Sequence, residues 1–126
     1  MVDYDKAVEF YQIVLNTYVE QSEGWKKRNM FERQWLFRDF EKQNGMSVEE
    51  MLTTLRNLEG VLKNQASAST FVEPLKRLSS YYGRLLNLLK GFEKDPKKLE
   101  ENTRLINGWI QDVENLISTL THEKIG

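Results

Sequence analysis

Cysteine is absent from the 126 residues. Disulfides, thiolate catalysis and cysteine-ligated metals are therefore excluded. Histidine occurs once, as His122 in the C-terminal THEKIG, and is read as a solvated tail residue. It completes no familiar site. Thr119, not Glu, stands three residues before it, so the Glu-x-x-His pair of helical di-iron proteins is missing. Positions 115 to 117 are Asn, Leu and Ile, so the Arg-x4–6-His pattern of all-α RNases fails as well. There is no HExxH zinc helix, no histidine for a Ser-His-Asp triad and no glycine-rich phosphate loop. No apolar run approaches the roughly 18 residues that a membrane span needs. The N-terminal MVDYDKAVEF is acidic and lacks a signal-peptide layout, so a cytoplasmic protein is expected. The formal net charge of −1 gives no whole-molecule attraction to nucleic acid.

The remaining carboxylates suggest structure rather than chemistry. Glu20 and Glu23 supply half of the Glu-x-x-Glu and Glu-x-x-Asp set that holds Mg²⁺ in helical nucleotide pyrophosphatases, but no later Asp has Glu three before it. Glu49-Glu50 and Glu100-Glu101 fall in the first turns of expected helices, where negative charge suits the helix dipole. The expectation is a non-enzymatic protein with no cofactor, no metal and no small-molecule substrate.

With 40% hydrophobic and 29% charged residues, the chain reads as one folded domain over residues 1–126. Only Pro74 and Pro96 interrupt a periodicity that is helical almost throughout. A first helix is expected from Asp3 or Asp5 to Gln21, with Tyr4, Val8, Tyr11, Leu15 and Tyr18 inward and Ser22-Glu23-Gly24 as its stop. A second covers about Trp25 to Gln43 and ends at Asn44-Gly45. Ser47-Val48-Glu49-Glu50 is a capping box, opening a third helix with the stripe Met51, Leu55, Leu58 and Leu62. Ala66 to Thr70 is the main loop. A fourth helix carries Phe71, Leu75, Leu78, Tyr82, Leu85, Leu89 and Phe92, with Pro74 in or before its first turn. The fifth starts with Asp95 as cap and Pro96 at its first position, and its seam is Leu99, Thr103, Ile106, Ile110, Val113, Ile117 and Leu120. Seams spaced four and three apart with short connections predict an antiparallel all-α bundle of four to five helices. Gly60, Gly83 and Gly108 lie within helical patterns, where close helix approach is the expected reason, or a bend at Gly108.

The segment from Trp25 to Phe40 stands out, with five aromatic and five basic residues in sixteen positions. On a helical projection from Trp25, Leu36, Phe40, Phe37 and Met30 fall between roughly 20° and 140°. Phe31 and Trp35 fall at roughly 240° and 280°, among Arg28, Arg38 and Lys42. Such a helix needs cover on two sides. One explanation is internal: the helix is sandwiched, with the acidic residues 1–24 (five acids, one base) lying beside the basic residues 25–43 (six bases, three acids). The other makes Arg28, Phe31, Trp35, Arg38 and Lys42 a partner-binding face, since Trp, Phe and Arg are enriched at interfaces. The expected function is then protein–protein interaction, as an adaptor, inhibitor, immunity-like protein or assembly subunit, with another protein or a second copy as partner. The alternative is a subunit that contacts single-stranded nucleic acid or a ribonucleoprotein through the same aromatics and bases. Phe31 to Leu62 also loosely resembles a helix-turn-helix, but the acidic opening at Glu49-Glu50 would repel phosphate.

Overall fold

A computed structural model describes residues 2–121. It contains five α-helices and, among the described residues, no strand: α1 (Tyr4–Lys26), α2 (Met30–Asn44), α3 (Val48–Lys63), α4 (Val72–Phe92) and α5 (Pro96–Leu120). Asp3 caps α1 by accepting the Lys6 N–H at 3.1 Å. Ser47 and Glu50 form the capping box of α3, at 2.9 and 3.1 Å. Asp95 caps α5 and Pro96 is its first residue. A short 3₁₀ turn, Ser69–Phe71, leads into α4. Pro74 is the third residue of α4, within the turn whose N–H groups have no intrahelical acceptor.

α1 departs from expectation at its C-terminus. It runs through Ser22-Glu23-Gly24 and ends at Lys26, so Trp25 belongs to α1 and not to α2. The Trp25 ring is buried against Phe37, Phe40 and Tyr81, with centroids 6.1, 6.2 and 6.1 Å away. Burying that side chain contributes about 1.5–3 kcal/mol, which outweighs the roughly 1 kcal/mol that a helical glycine costs. The break falls instead at Lys27, Arg28 and Asn29. Asn29 caps α2, its Oδ1 accepting the Glu32 N–H at 2.9 Å.

Side-chain bonds fix the helix directions. Tyr18 donates to the Val48 carbonyl at 2.7 Å and Tyr4 to the Ala66 carbonyl at 3.2 Å, so α1 and α3 are antiparallel. Arg84 binds Asp39, and Arg77 donates to the Asn44 carbonyl at 3.0 Å, so α2 runs antiparallel to α4. Residues 93–95 fold α5 back along α4, where Tyr82 meets Trp109 at 5.4 Å. One cluster of buried side chains draws on all five helices.

The stripe of α3 is buried as expected. That of α1 is rotated: Ala7, Tyr11, Val14, Tyr18, Gln21 and Trp25 face inward, while Tyr4, Val8 and Leu15 are half-buried. α1 packs on both α3 and α5, which widens its buried face. Tyr81 and Leu116 join the core beside the expected seams, and Phe92 is left exposed. Met30, expected inside, is exposed because α2 begins there. A Cβ at Gly60, Gly83 or Gly108 would meet nothing within 4 Å, so close approach does not explain these glycines, and α5 runs unbroken through Gly108.

Candidate functional site

α2 packs chiefly on α4, with smaller contacts to α1 and α3 and no substantial contact with α5. The first half of α2 and the start of α5 therefore stand apart, with a groove of about 620 Å³ between them. Its floor is Trp25 and Gln21 from the end of α1 and Leu85, Leu88 and Leu89 from α4. One wall is Arg28, Phe31, Glu32, Trp35 and Leu36. The other is Asn102, Leu105, Ile106 and Trp109, and Phe92 at the end of α4 also lines the groove. Four large apolar side chains on this rim are open to solvent: Phe31 (88% exposed), Phe92 (76%), Leu105 (55%) and Trp35 (49%). Scattered single exposed apolar residues are ordinary, whereas a cluster around one concavity marks a contact site.

The groove is apolar with sparse polar features. Gln21 is only 7% exposed, and neither Oε1 nor Nε2 is bonded within the protein. A buried amide without partners is costly, and both of its polar atoms are enclosed beneath the groove surface. Arg28 and Glu32 are the charged residues of the lining and pair with each other at 2.9 Å.

The five residues expected to form a partner face separate into two groups. Arg28, Phe31 and Trp35 line the groove, with Arg28 in the α1–α2 connection rather than on α2. Arg38 and Lys42 are exposed on later turns of α2, outside the groove, and neither forms an ion pair among the described residues. The sandwiched arrangement does not occur: Phe31 and Trp35 reach solvent, and no ion pair joins α1 to α2 among the described residues. α2 is tied instead to α4, through Asp39 and Arg84. Gln21 and the α4 and α5 residues of the groove were not anticipated. Leu88, Leu105 and Trp109 lie off the four-three seams of their own helices, and apolar residues off the seam were the available signal.

A second depression of about 210 Å³ is bordered by Lys76, Arg77, Arg84, Gln43 and Tyr81. Arg84 is bound to Asp39, and Arg77 to Glu73 and the Asn44 carbonyl, so two of its three cations are engaged internally. Glu50 is held in its cap, where the Ser47 hydrogen bonds pull its carboxyl below the usual range. No three His, Asp or Glu side chains converge among the described residues. His122 lies outside the described residues.

The site so defined is an apolar groove at one end of an all-α helical bundle. No family model, curated protein or solved structure matches the chain. Among the described residues, no helix is long and apolar enough to cross a membrane.

Proposed function

We propose that this protein is a non-enzymatic interaction module, located in the cytoplasm, whose groove and adjoining α2 face receive another protein chain. The observation that carries the proposal is the ring of Phe31, Trp35, Phe92 and Leu105 left in water around the apolar lining of Leu85, Leu88 and Leu89. Full burial of an exposed side chain of this size contributes about 1.5–3 kcal/mol, and covering the half-exposed Trp35 and Leu105 contributes about half of that. Together they offset much of the roughly 4–15 kcal/mol lost in association. A small molecule on the groove floor would leave Phe31 and Phe92 in water, whereas a helix laid between α2 and α5 covers them, in the manner of helix-in-groove recognition. Arg38 and Lys42 extend the same α2 face with charge that suits acidic residues flanking that helix.

Those two bases and the neighbouring aromatics also favour the second reading, contact with single-stranded nucleic acid. It is the weaker one, because Arg28, the one base that lines the groove, is already paired with Glu32. A photo-reactive phenylalanine analogue at position 31, introduced in the native host, separates the two. The groove reading expects a protein adduct that resists nuclease and is absent when the probe stands at Lys63, on the far end of the bundle. A nuclease-sensitive adduct, or equal labelling from both positions, would overturn it.

A further inference from the structure

We infer that one end of the bundle docks on an anionic lipid surface, with Met30, Phe31 and Phe92 entering the headgroup layer among a group of lysines. α1 ends, α2 begins, α4 ends and α5 begins at this end, since all four contribute to one groove there. Six large apolar side chains are exposed among the described residues, and five of them lie on these segments; the sixth, Ile13, is midway along α1. Met30 (65% exposed), Phe31 and Phe92 are nearest the end, while Trp35 and Leu105 are further along their helices. Apolar side chains at a membrane surface reach about 5–10 Å into the boundary between headgroups and acyl chains. The inference goes beyond the groove reading: Met30 and the lysines named below lie outside the groove lining, and Phe31 and Phe92 border both surfaces.

Charge names the occupant. Residues 23–33 and 90–98, the two connections with their flanking turns, carry eight bases and four acids, a local surplus of positive charge within a chain of net charge −1. Glu23 and Glu32 are spent on Lys26 and Arg28. Lys27, Lys90, Lys94, Lys97 and Lys98 are exposed and form no ion pair among the described residues. Two of them stand against local electrostatics. Lys97 and Lys98 occupy the first turn of α5, which holds no acidic residue and where the helix dipole disfavours cations. A local preference broken with no compensating pair points to a functional position. Glu100 and Glu101 follow one turn further from the end. The start of α1, at the far end, has the opposite sign, with Asp3, Asp5 and Glu9 against Lys6. That asymmetry turns the lysine-bearing end toward an anionic surface. Lysine is depleted at protein–protein interfaces, and arginine is the residue suited to fixed phosphate geometry. Flexible lysines beside apolar tips need no shaped partner and suit a fluid anionic bilayer, such as the cytoplasmic leaflet offers.

Co-sedimentation of the full chain with lipid vesicles tests this directly. Wild-type protein is expected to bind vesicles of equal parts phosphatidylcholine and phosphatidylserine, and to bind pure phosphatidylcholine at least about 10-fold more weakly. Lys94→Gln, Lys97→Gln and Lys98→Gln together should lower partitioning by about 100-fold, at about 5-fold per lysine. These changes remove cations from a loop and a helix N-terminus, so the fold is kept. Met30→Asp, at an exposed position, should lower partitioning by about 10-fold. Absence of vesicle binding, equal binding to both lipid mixtures, or binding that the triple variant leaves unchanged overturns the inference. So does retention of a single-stranded oligonucleotide, and not of vesicles, through the same lysines. The position-31 protein adduct should persist in the triple variant, which separates this inference from the groove reading. Loss of that adduct would assign the lysines to the protein partner and overturn lipid docking.

Discussion

Arg84 holds Asp39 by two hydrogen bonds, Nη2 to Oδ1 at 2.7 Å and Nε to Oδ2 at 3.1 Å, and this pair ties the groove wall α2 to α4. The two partners are unequally placed: the Asp39 side chain is 8% exposed and that of Arg84 39%. Losing Asp39 frees an arginine that can turn to water. Losing Arg84 leaves a carboxylate buried without its counter-charge. Arg84→Ala should therefore cost about 2–3 kcal/mol of folding stability, discounted for the exposure of the arginine, and Asp39→Ala about 1 kcal/mol less. Urea melts of the two variants give the order.

Two glycines should respond in opposite directions. Gly24 lies inside α1, and a methyl group there would meet nothing within 4 Å. Gly24→Ala is expected to raise stability by up to about 1 kcal/mol. Gly45 ends α2 with φ +74°, and a Cβ would come within 2.9 Å of Arg77 Nη1. Gly45→Ala is expected to destabilise by about 1 kcal/mol or more. Thermal melts compare the pair.

Alkaline pH should unfold the protein through its buried tyrosines. Burial pushes the Tyr11 hydroxyl up to about 12 and also raises those of Tyr18, Tyr81 and Tyr82. In the unfolded chain these groups titrate near 10. Since the folded values are raised, the stabilisation is fully present below about pH 10 and is lost as pH climbs toward and beyond 12. Each tyrosine ionised only in the unfolded chain removes about 1.4 kcal/mol per pH unit. Urea midpoints should hold steady up to about pH 9 and fall steeply by about pH 11, and Tyr11→Phe should soften that fall.

The readable parts of this fold were those settled locally. Ser47 with Glu50, and Asp95 with Pro96, satisfy helix N-termini from within four residues, so α3 and α5 start where the sequence indicates. The α1 end was not local. Gly24 reads as a stop until Trp25 finds Phe40 and Tyr81, which come from two other helices. That extension moved Trp25 from the beginning of one helix to the end of another. The aromatic and basic character of α2 was legible, and so was the projection that sets Phe31 and Trp35 away from Phe40. The groove was not, because it exists only where α2 fails to reach α5, and Leu88, Leu105 and Gln21 acquire their places from that gap.

Whether Trp35 serves a partner or the fold is settled most directly by Trp35→Ala, measured for urea stability and for adduct yield from the position-31 probe, with Trp25→Ala alongside. Trp25 is buried and its truncation should cost about 3–5 kcal/mol of folding stability. Trp35 is half exposed on the groove wall. Its truncation should change stability by about 1 kcal/mol or less while weakening capture by about 2 kcal/mol or more. A Trp35→Ala protein that loses about 3–5 kcal/mol of stability and captures as well as wild type would contradict the groove's assignment as a binding site.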